Sequence, residues 1–194
     1  MPIEVILNKK DKLKQVAENL FRKQGYHATS IRQIATALGI EKATVYSHVS
    51  SKEDLLRQIC FEMAAEFFVE AELVENSNIS ADLKLRAAIL GHIKVIANNI
   101  DAAAVFFHDW RHLSEPHLSE FKILRLKYED YFKEIIKEGI EQHLFLENDA
   151  KFTVLTILSA LNWTYEWYNP EGKMTYEEIG NNLADTLING LKNK

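Results

Sequence analysis

The sequence predicts an all-α protein of about nine helices, with a small helix-turn-helix domain in front and a larger helical domain behind. Three observations carry this. Only 7 Gly and 3 Pro punctuate 194 residues, so breaks are few and long elements are favoured. Apolar residues recur at steps of three and four over long stretches, with few β-branched runs. Capping pairs, Ser30 with Gln33 and Thr175 with Glu178, stand where such stretches begin. A chain of this length buries a substantial core in one or two domains.

In chain order, residues 1–8 are expected to be a weakly ordered arm, with Lys9 and Lys10 either solvated or near phosphate. Asn8 to Gln24 read as a helix with Leu13, Val16, Ala17, Leu20 and Phe21 on one face, ended by Gly25-Tyr26. Ser30 opens the next helix, whose apolar face is Ile31, Ile34, Ala35 and Leu38, and Gly39 stops it. After a short turn, Lys42 to His48 form a second helix. Val45 and Val49 point inward, and Lys42, Thr44, Tyr46, Ser47 and His48 supply polar groups. This is a helix-turn-helix, whose second helix lies in the DNA major groove. Ser51 caps a long helix to about Val74, and a polar break over residues 75–80 follows. Further helices are predicted over 81–99, from an Asp101 cap to His112, from Pro116 to about His143, from Asn148 or Asp149 to Tyr168, and from Thr175 to about Lys192.

The net charge of −5 argues at first against a nucleic-acid partner. Residues 1–58, however, hold 10 Lys and Arg against 6 Asp and Glu, and the remainder 13 against 22. A basic front and an acidic body suit a protein that presents one end to phosphate. One cysteine, Cys60, excludes an intramolecular disulfide and reads as a buried small hydrophobe. No signal peptide or long apolar run stands in the sequence, so a soluble, cytoplasmic protein without membrane contact is expected.

The front motifs resemble those of the TetR family of bacterial transcriptional regulators. They are Leu20-Phe21-Arg22-Lys23-Gln24-Gly25-Tyr26, Thr29-Ser30-Ile31-Arg32-Gln33-Ile34-Ala35, Gly39-Ile40-Glu41-Lys42-Ala43-Thr44-Val45-Tyr46-Ser47-His48 and Ser51-Lys52-Glu53-Asp54-Leu55. Val49 stands where the family usually has Phe, and Glu41 where a Ser cap is usual. The resemblance implies a homodimer that binds double-stranded operator DNA, with a helix-turn-helix domain over 1–52 and an effector-binding and dimerisation domain over 53–194. Lys42, Thr44, Tyr46 and His48 then face DNA, Thr44 and Tyr46 on phosphate, with Ser47 a further contact. Thr29, Arg32, Gln33 and Lys52 are expected at the backbone or groove, and the helix starting near Ser30 offers free N–H groups to a phosphate. The competing reading is that Tyr46 and His48 only pack the small domain. The last two helices are expected to pair between subunits. The long helix from Ser51 is expected to couple the domains.

A finer resemblance lies in Trp110-Arg111-His112-Leu113 and in Asn162 through Gly172. These stretches look like a branch of the family that responds to acyl-CoA thioesters. Phe67, Phe68, Phe106, Phe107, Trp110, Tyr128, Phe132 and Trp163 are then the candidates for an apolar effector cavity, and Arg111 for a CoA phosphate. The alternative is that the aromatics are core and Arg111 ends a helix. His108 and His112 stand one helical turn apart, the spacing of a metal-binding pair, so a metal-responsive regulator or a helical zinc hydrolase are the other readings. No Gly-rich phosphate loop, nucleophile elbow or paired-cysteine spacing occurs. Neither a cofactor nor enzymatic activity is expected.

Overall fold

The computed structural model describes residues 9–192, and the expected arm over 1–8 lies outside them. The helices are α1 (Lys9–Gln24), α2 (Ile31–Leu38), α3 (Lys42–Tyr46), α4 (Lys52–Glu75), α5 (Ala81–Asn98), α6 (Ile100–His108), α7 (His117–Glu141), α8 (Ala150–Asn162), α9 (Thr164–Trp167) and α10 (Tyr176–Leu191), with a 3-10 turn at Trp110–His112 after α6. No strand forms among the described residues. Two expected spans are interrupted. The helix predicted to reach His112 ends at His108, and the one predicted over 149–168 breaks at Trp163 into α8 and α9.

The chain forms two compact units. The first runs to Met63 and takes in Asp101–Ser119. The second comprises Ala64–Ile100 and Glu120–Lys194. The boundary expected at residue 52 therefore falls inside the first unit, and α4 passes from one unit to the other.

In the first unit Leu13, Ala17 and Phe21 of α1 pack with Ile31, Ile34 and Ala35 of α2, Val45 of α3, and Leu55, Leu56 and Ile59 of α4, all buried. Cys60 is fully buried as expected, and burial pushes its thiol well up, which keeps it protonated. The inserted 101–119 stretch is tied in by polar groups. Asp101 was predicted to cap a helix, but it lies inside α6. Its carboxylate accepts from Asn19 Nδ2 at 2.8 Å and Arg22 Nη1 at 2.7 Å. Burial alone would raise that carboxyl, but Arg22 and Asn19 hold it below its ordinary value. Glu53 accepts from the Ser114 N–H at 2.7 Å and from its hydroxyl at 3.0 Å.

The core of the second unit is built from Leu85, Ile89 and Ile93 of α5, Phe132, Ile135 and Ile136 of α7, Ile157 and Leu161 of α8, and Ile179, Ala184 and Ile188 of α10. Gly180 lets α10 lie against α5, because a Cβ there would stand 2.8 Å from Leu90 Cδ2. Asp149 caps α8 by accepting the Phe152 N–H at 2.6 Å, and Thr175 with Glu178 closes a full capping box on α10. Phe152, Leu155, Trp163 and Trp167 stay exposed, Phe152 at 72% and Trp163 at 59%.

Candidate nucleic-acid interface

The geometry of α2 follows from its ends. The Ser30 hydroxyl accepts the Gln33 N–H at 3.2 Å, and Gln33 Oε1 accepts the Ser30 N–H at 2.8 Å, so the capping box is complete. Gly39 takes the left-handed conformation, φ +66, and returns its N–H to the Ala35 and Thr36 carbonyls. The chain can then turn directly into α3. Val45, fully buried, and Val49, 3% exposed, pin α3 from below. Val49 thus fills the inward place expected of it. Glu41 makes no side-chain cap to α3.

With that face held down, Lys42, Thr44, Tyr46 and Ser47 are exposed and His48 is half-buried. Tyr46 is 47% exposed, with the Lys42 ammonium 5.6 Å from its ring centroid. Ser47 donates its hydroxyl to the Thr44 carbonyl at 2.7 Å. Arg32 and Gln33 are exposed on the first turn of α2. Hydroxyls, an amide and cations on one short helix and the start of its neighbour are the groups that hold a duplex backbone and reach base edges.

Two expected contacts are placed otherwise. Thr29 is 1% exposed, and its hydroxyl donates to the Gly25 carbonyl at 2.9 Å and accepts from Gln24 Nε2 at 3.1 Å. It braces the α1–α2 turn and presents nothing to solvent. The Lys52 ammonium donates to the Tyr26 carbonyl at 2.7 Å and the Thr29 carbonyl at 2.9 Å, and lies 4.1 Å from the Tyr26 ring centroid.

The same turn meets the inserted segment. The Tyr26 ring stacks on His112 at 5.5 Å, and His27 Nε2 lies 3.0 Å from His112 Nδ1. Burial, with Glu53 and Asp109 nearby, pushes the Tyr26 hydroxyl up to about 12. Burial also raises the Asp109 carboxyl, against the pull of His112, His108 and His27. The break after His108 removes the continuous helix on which the His108–His112 metal spacing rested, and His112 turns to His27 instead. Among the described residues, no three or more His, Cys, Asp or Glu are arranged to hold a metal ion.

The effector candidates divide between the units. Phe106, Phe107, Trp110 and Arg111 belong to the first. Phe106 and Phe107 meet edge to face at 5.0 Å, and the exposed Arg111 guanidinium covers the Trp110 ring at 4.6 Å. Phe67, Phe68, Tyr128, Phe132 and Trp163 belong to the second. There Tyr128 gathers Phe67 at 5.5 Å, Phe68 at 5.7 Å and Phe132 at 5.4 Å, while Trp163 is exposed. Sequence reasoning passed over two members of this cluster. His92 Nδ1 lies 3.1 Å from the Tyr128 hydroxyl, and Tyr131 stands 5.9 Å from the Tyr128 ring. The only signal for His92 was a polar residue on the apolar stripe of α5. Burial drives the His92 imidazole down to about 3, against a hydrogen bond with Asn162 that favours its charged form. Beside the cluster a cleft of about 630 Å³ opens, with Phe68 and Tyr131 among its walls and Glu72, Glu75, Asp130, Glu134 and Glu138 around it.

Comparison with known proteins fits this arrangement. Residues 14–59 match the family model of bacterial regulatory proteins of the tetR family, and residues 78–191 match that of the tetracyclin repressor-like C-terminal domain. The HTH-type transcriptional repressor KstR2 of Rhodococcus jostii (strain RHA1) is 22% identical over 185 residues, covering 94% of this chain and 91% of that protein. The structure of the ketosteroid transcriptional regulator KstR2 of Mycobacterium tuberculosis superposes with a TM-score of 0.92 at 20% identity, covering 97% of both chains. AibR, solved in complex with isovaleryl coenzyme A and operator DNA, superposes with a TM-score of 0.78 at 23% identity, covering 93% of this chain and 98% of that one. No single helix among the described residues is long and apolar enough to cross a membrane. With a capped α2, a pinned and polar α3 and both family models matched in order, the chain belongs to the TetR family of DNA-binding transcriptional regulators.

Proposed function

We propose that this regulator is a repressor that binds a near-palindromic operator as a homodimer and leaves it when a small apolar effector, such as an acyl-CoA, binds. The observation that carries the reading is the short α3 and the turn after it, held by Val45 and Val49, which leave Lys42, Thr44, Tyr46 and Ser47 exposed and His48 half-buried next in the motif to the Ser30 cap and the exposed Arg32 and Gln33 of α2. Residues 1–52 act on DNA, and residues 53–194 bind effector and dimerise. The exposed stripe of Phe152, Leu155, Trp163 and Trp167 suits burial against a second copy. Twofold pairing would present two recognition helices to half-sites about 34–36 Å apart. Effector releases DNA only by binding the non-matching conformer better, tenfold for about 1.4 kcal/mol of difference.

The acyl-CoA assignment draws on the likeness to AibR and on the aromatic cluster of Phe67, Phe68, Tyr128 and Phe132. Around the 630 Å³ cleft Glu72, Glu75, Asp130, Glu134 and Glu138 outnumber Lys84 and Lys127, so the cleft suits an acyl chain better than a polyphosphate. Fluorescence anisotropy with DNA from upstream of the protein's own gene, with and without a panel of acyl-CoAs, tests the reading. Release by one chain length, and not by free acid or CoA alone, is the expected result. Tight operator binding indifferent to every thioester would remove the acyl-CoA assignment, and failure to bind would remove the autoregulatory operator.

A further inference from the structure

Lys52 stands in the stretch that the family resemblance assigns to DNA, yet its ammonium is already engaged within the protein. An ammonium has three donors and no acceptor. Here two meet the Tyr26 and Thr29 carbonyls at 2.7 Å and 2.9 Å, and the charge lies 4.1 Å over the Tyr26 ring. Burial lowers the Lys52 ammonium below its ordinary value, opposed by Asp109. The two carbonyls belong to the turn immediately before the Ser30 cap. The Tyr26 carbonyl also accepts the Thr29 N–H at 3.2 Å, so the loss of the ammonium falls hardest on the carbonyl of Thr29, a residue only 1% exposed. Two of its three donors are thus committed within the protein, and lifting the ammonium out of this place to follow a phosphate would break both hydrogen bonds and the ring contact.

We infer that Lys52 serves operator binding as a positioning residue that fixes the 26–29 turn and hence the first turn of α2, and not as a phosphate ligand. The inference rests on the DNA-binding reading of α2 and α3. A lysine at the start of α4 thereby sets the height at which Ser30, Arg32 and Gln33 meet a duplex. When the turn is loose, only the fraction of molecules with α2 in place is competent, and affinity falls by that fraction.

Salt dependence separates the two roles. Removing a phosphate ligand makes the slope of log K against log salt shallower by about 0.9, because one fewer counterion is released. Removing a positioning residue lowers affinity at every salt and leaves the slope alone. Lys52→Met is expected to bind operator roughly tenfold more weakly with an unchanged slope, and to exchange the backbone amides of residues 27–33 faster in the DNA-free protein. Circular dichroism checks that the variant is folded. Lys52→Arg keeps the charge but not the compact donor geometry, and is expected to remain weakened with the slope of the wild type. A slope shallower by about 0.9 in Lys52→Met, unaltered exchange over residues 27–33, or full rescue by Lys52→Arg would each overturn the inference. If the wild-type protein bound no operator, the repressor reading would fail, and the exchange measurement would still decide the role of Lys52.

Discussion

His92 should make the second unit sensitive to acid well before its carboxylates are protonated. The side chain is 2% exposed, packed 4.7 Å from the Phe67 ring and hydrogen-bonded to Tyr128. Burial drives its titration down to about 3, so the folded protein holds the neutral ring. An unfolded chain takes up the proton at about 6.5. The folded value is the lower one, so this contribution to stability is complete above 6.5 and is lost as pH falls toward 3. Each unit of pH below 6.5 removes about 1.4 kcal/mol, which comes to about 2 kcal/mol at pH 5. The depressed carboxyl of Asp54 acts in a different window. Burial would raise it, but hydrogen bonds from Arg57 and Ser50 bring it to about 2, and its contribution is lost only as pH falls below the ordinary carboxyl value of 3.8. Urea unfolding at pH 7 and pH 5, at fixed protein concentration, should therefore show the wild type losing about 2 kcal/mol more than His92→Gln, which keeps a polar partner for Tyr128 but does not titrate. Equal losses in the two proteins, or an NMR titration of His92 midway near pH 6, would refute the reasoning.

Three further predictions concern stability. Ser30→Ala removes one half of the capping box and should cost about 1 kcal/mol, read as a lowered urea midpoint with unchanged slope. Gly39→Ala meets no neighbour, so only the left-handed backbone at φ +66 opposes it, and a loss of about 1–2 kcal/mol is expected by the same measurement. Gly139→Ala should destabilise although alanine is the better helix former. A Cβ there would fall on the Phe145 ring, which is 3% exposed and has no room to retreat, so a loss of about 1–3 kcal/mol is expected. A thermal midpoint at or above that of the wild type would show that the ring moves freely.

The front of the molecule was legible because its determinants are local. Ser30 and Gln33 form the box their spacing implies, Gly39 turns left-handed, and Val45 and Val49 go inward. What escaped the sequence depends on partners far along the chain. Asp101 carries every local mark of a cap, but Asn19 and Arg22, some eighty residues earlier, take its carboxylate. Thr29 looks like a polar residue at a helix start, and burial by the turn before it makes it a brace. The aromatics show the limit of periodicity. The pattern that buries Phe132 completely also leaves Trp163 mostly exposed, because an apolar stripe does not say which chain covers it.

The first compact unit is assembled from two separate stretches of chain, the run to Met63 and the inserted Asp101–Ser119. In folding, the Asn19–Asp101 and Glu53–Ser114 contacts can close only after the intervening chain has been looped out, an entropic charge that grows slowly with the size of the loop. In engineering, a fragment cut at the end of the helix-turn-helix motif would leave Arg22 and His27 without Asp101 and His112. A chimaera that transplants this DNA reader onto another sensor must therefore carry residues 101–119 with it, and two splice junctions are needed where the motif alone suggests one.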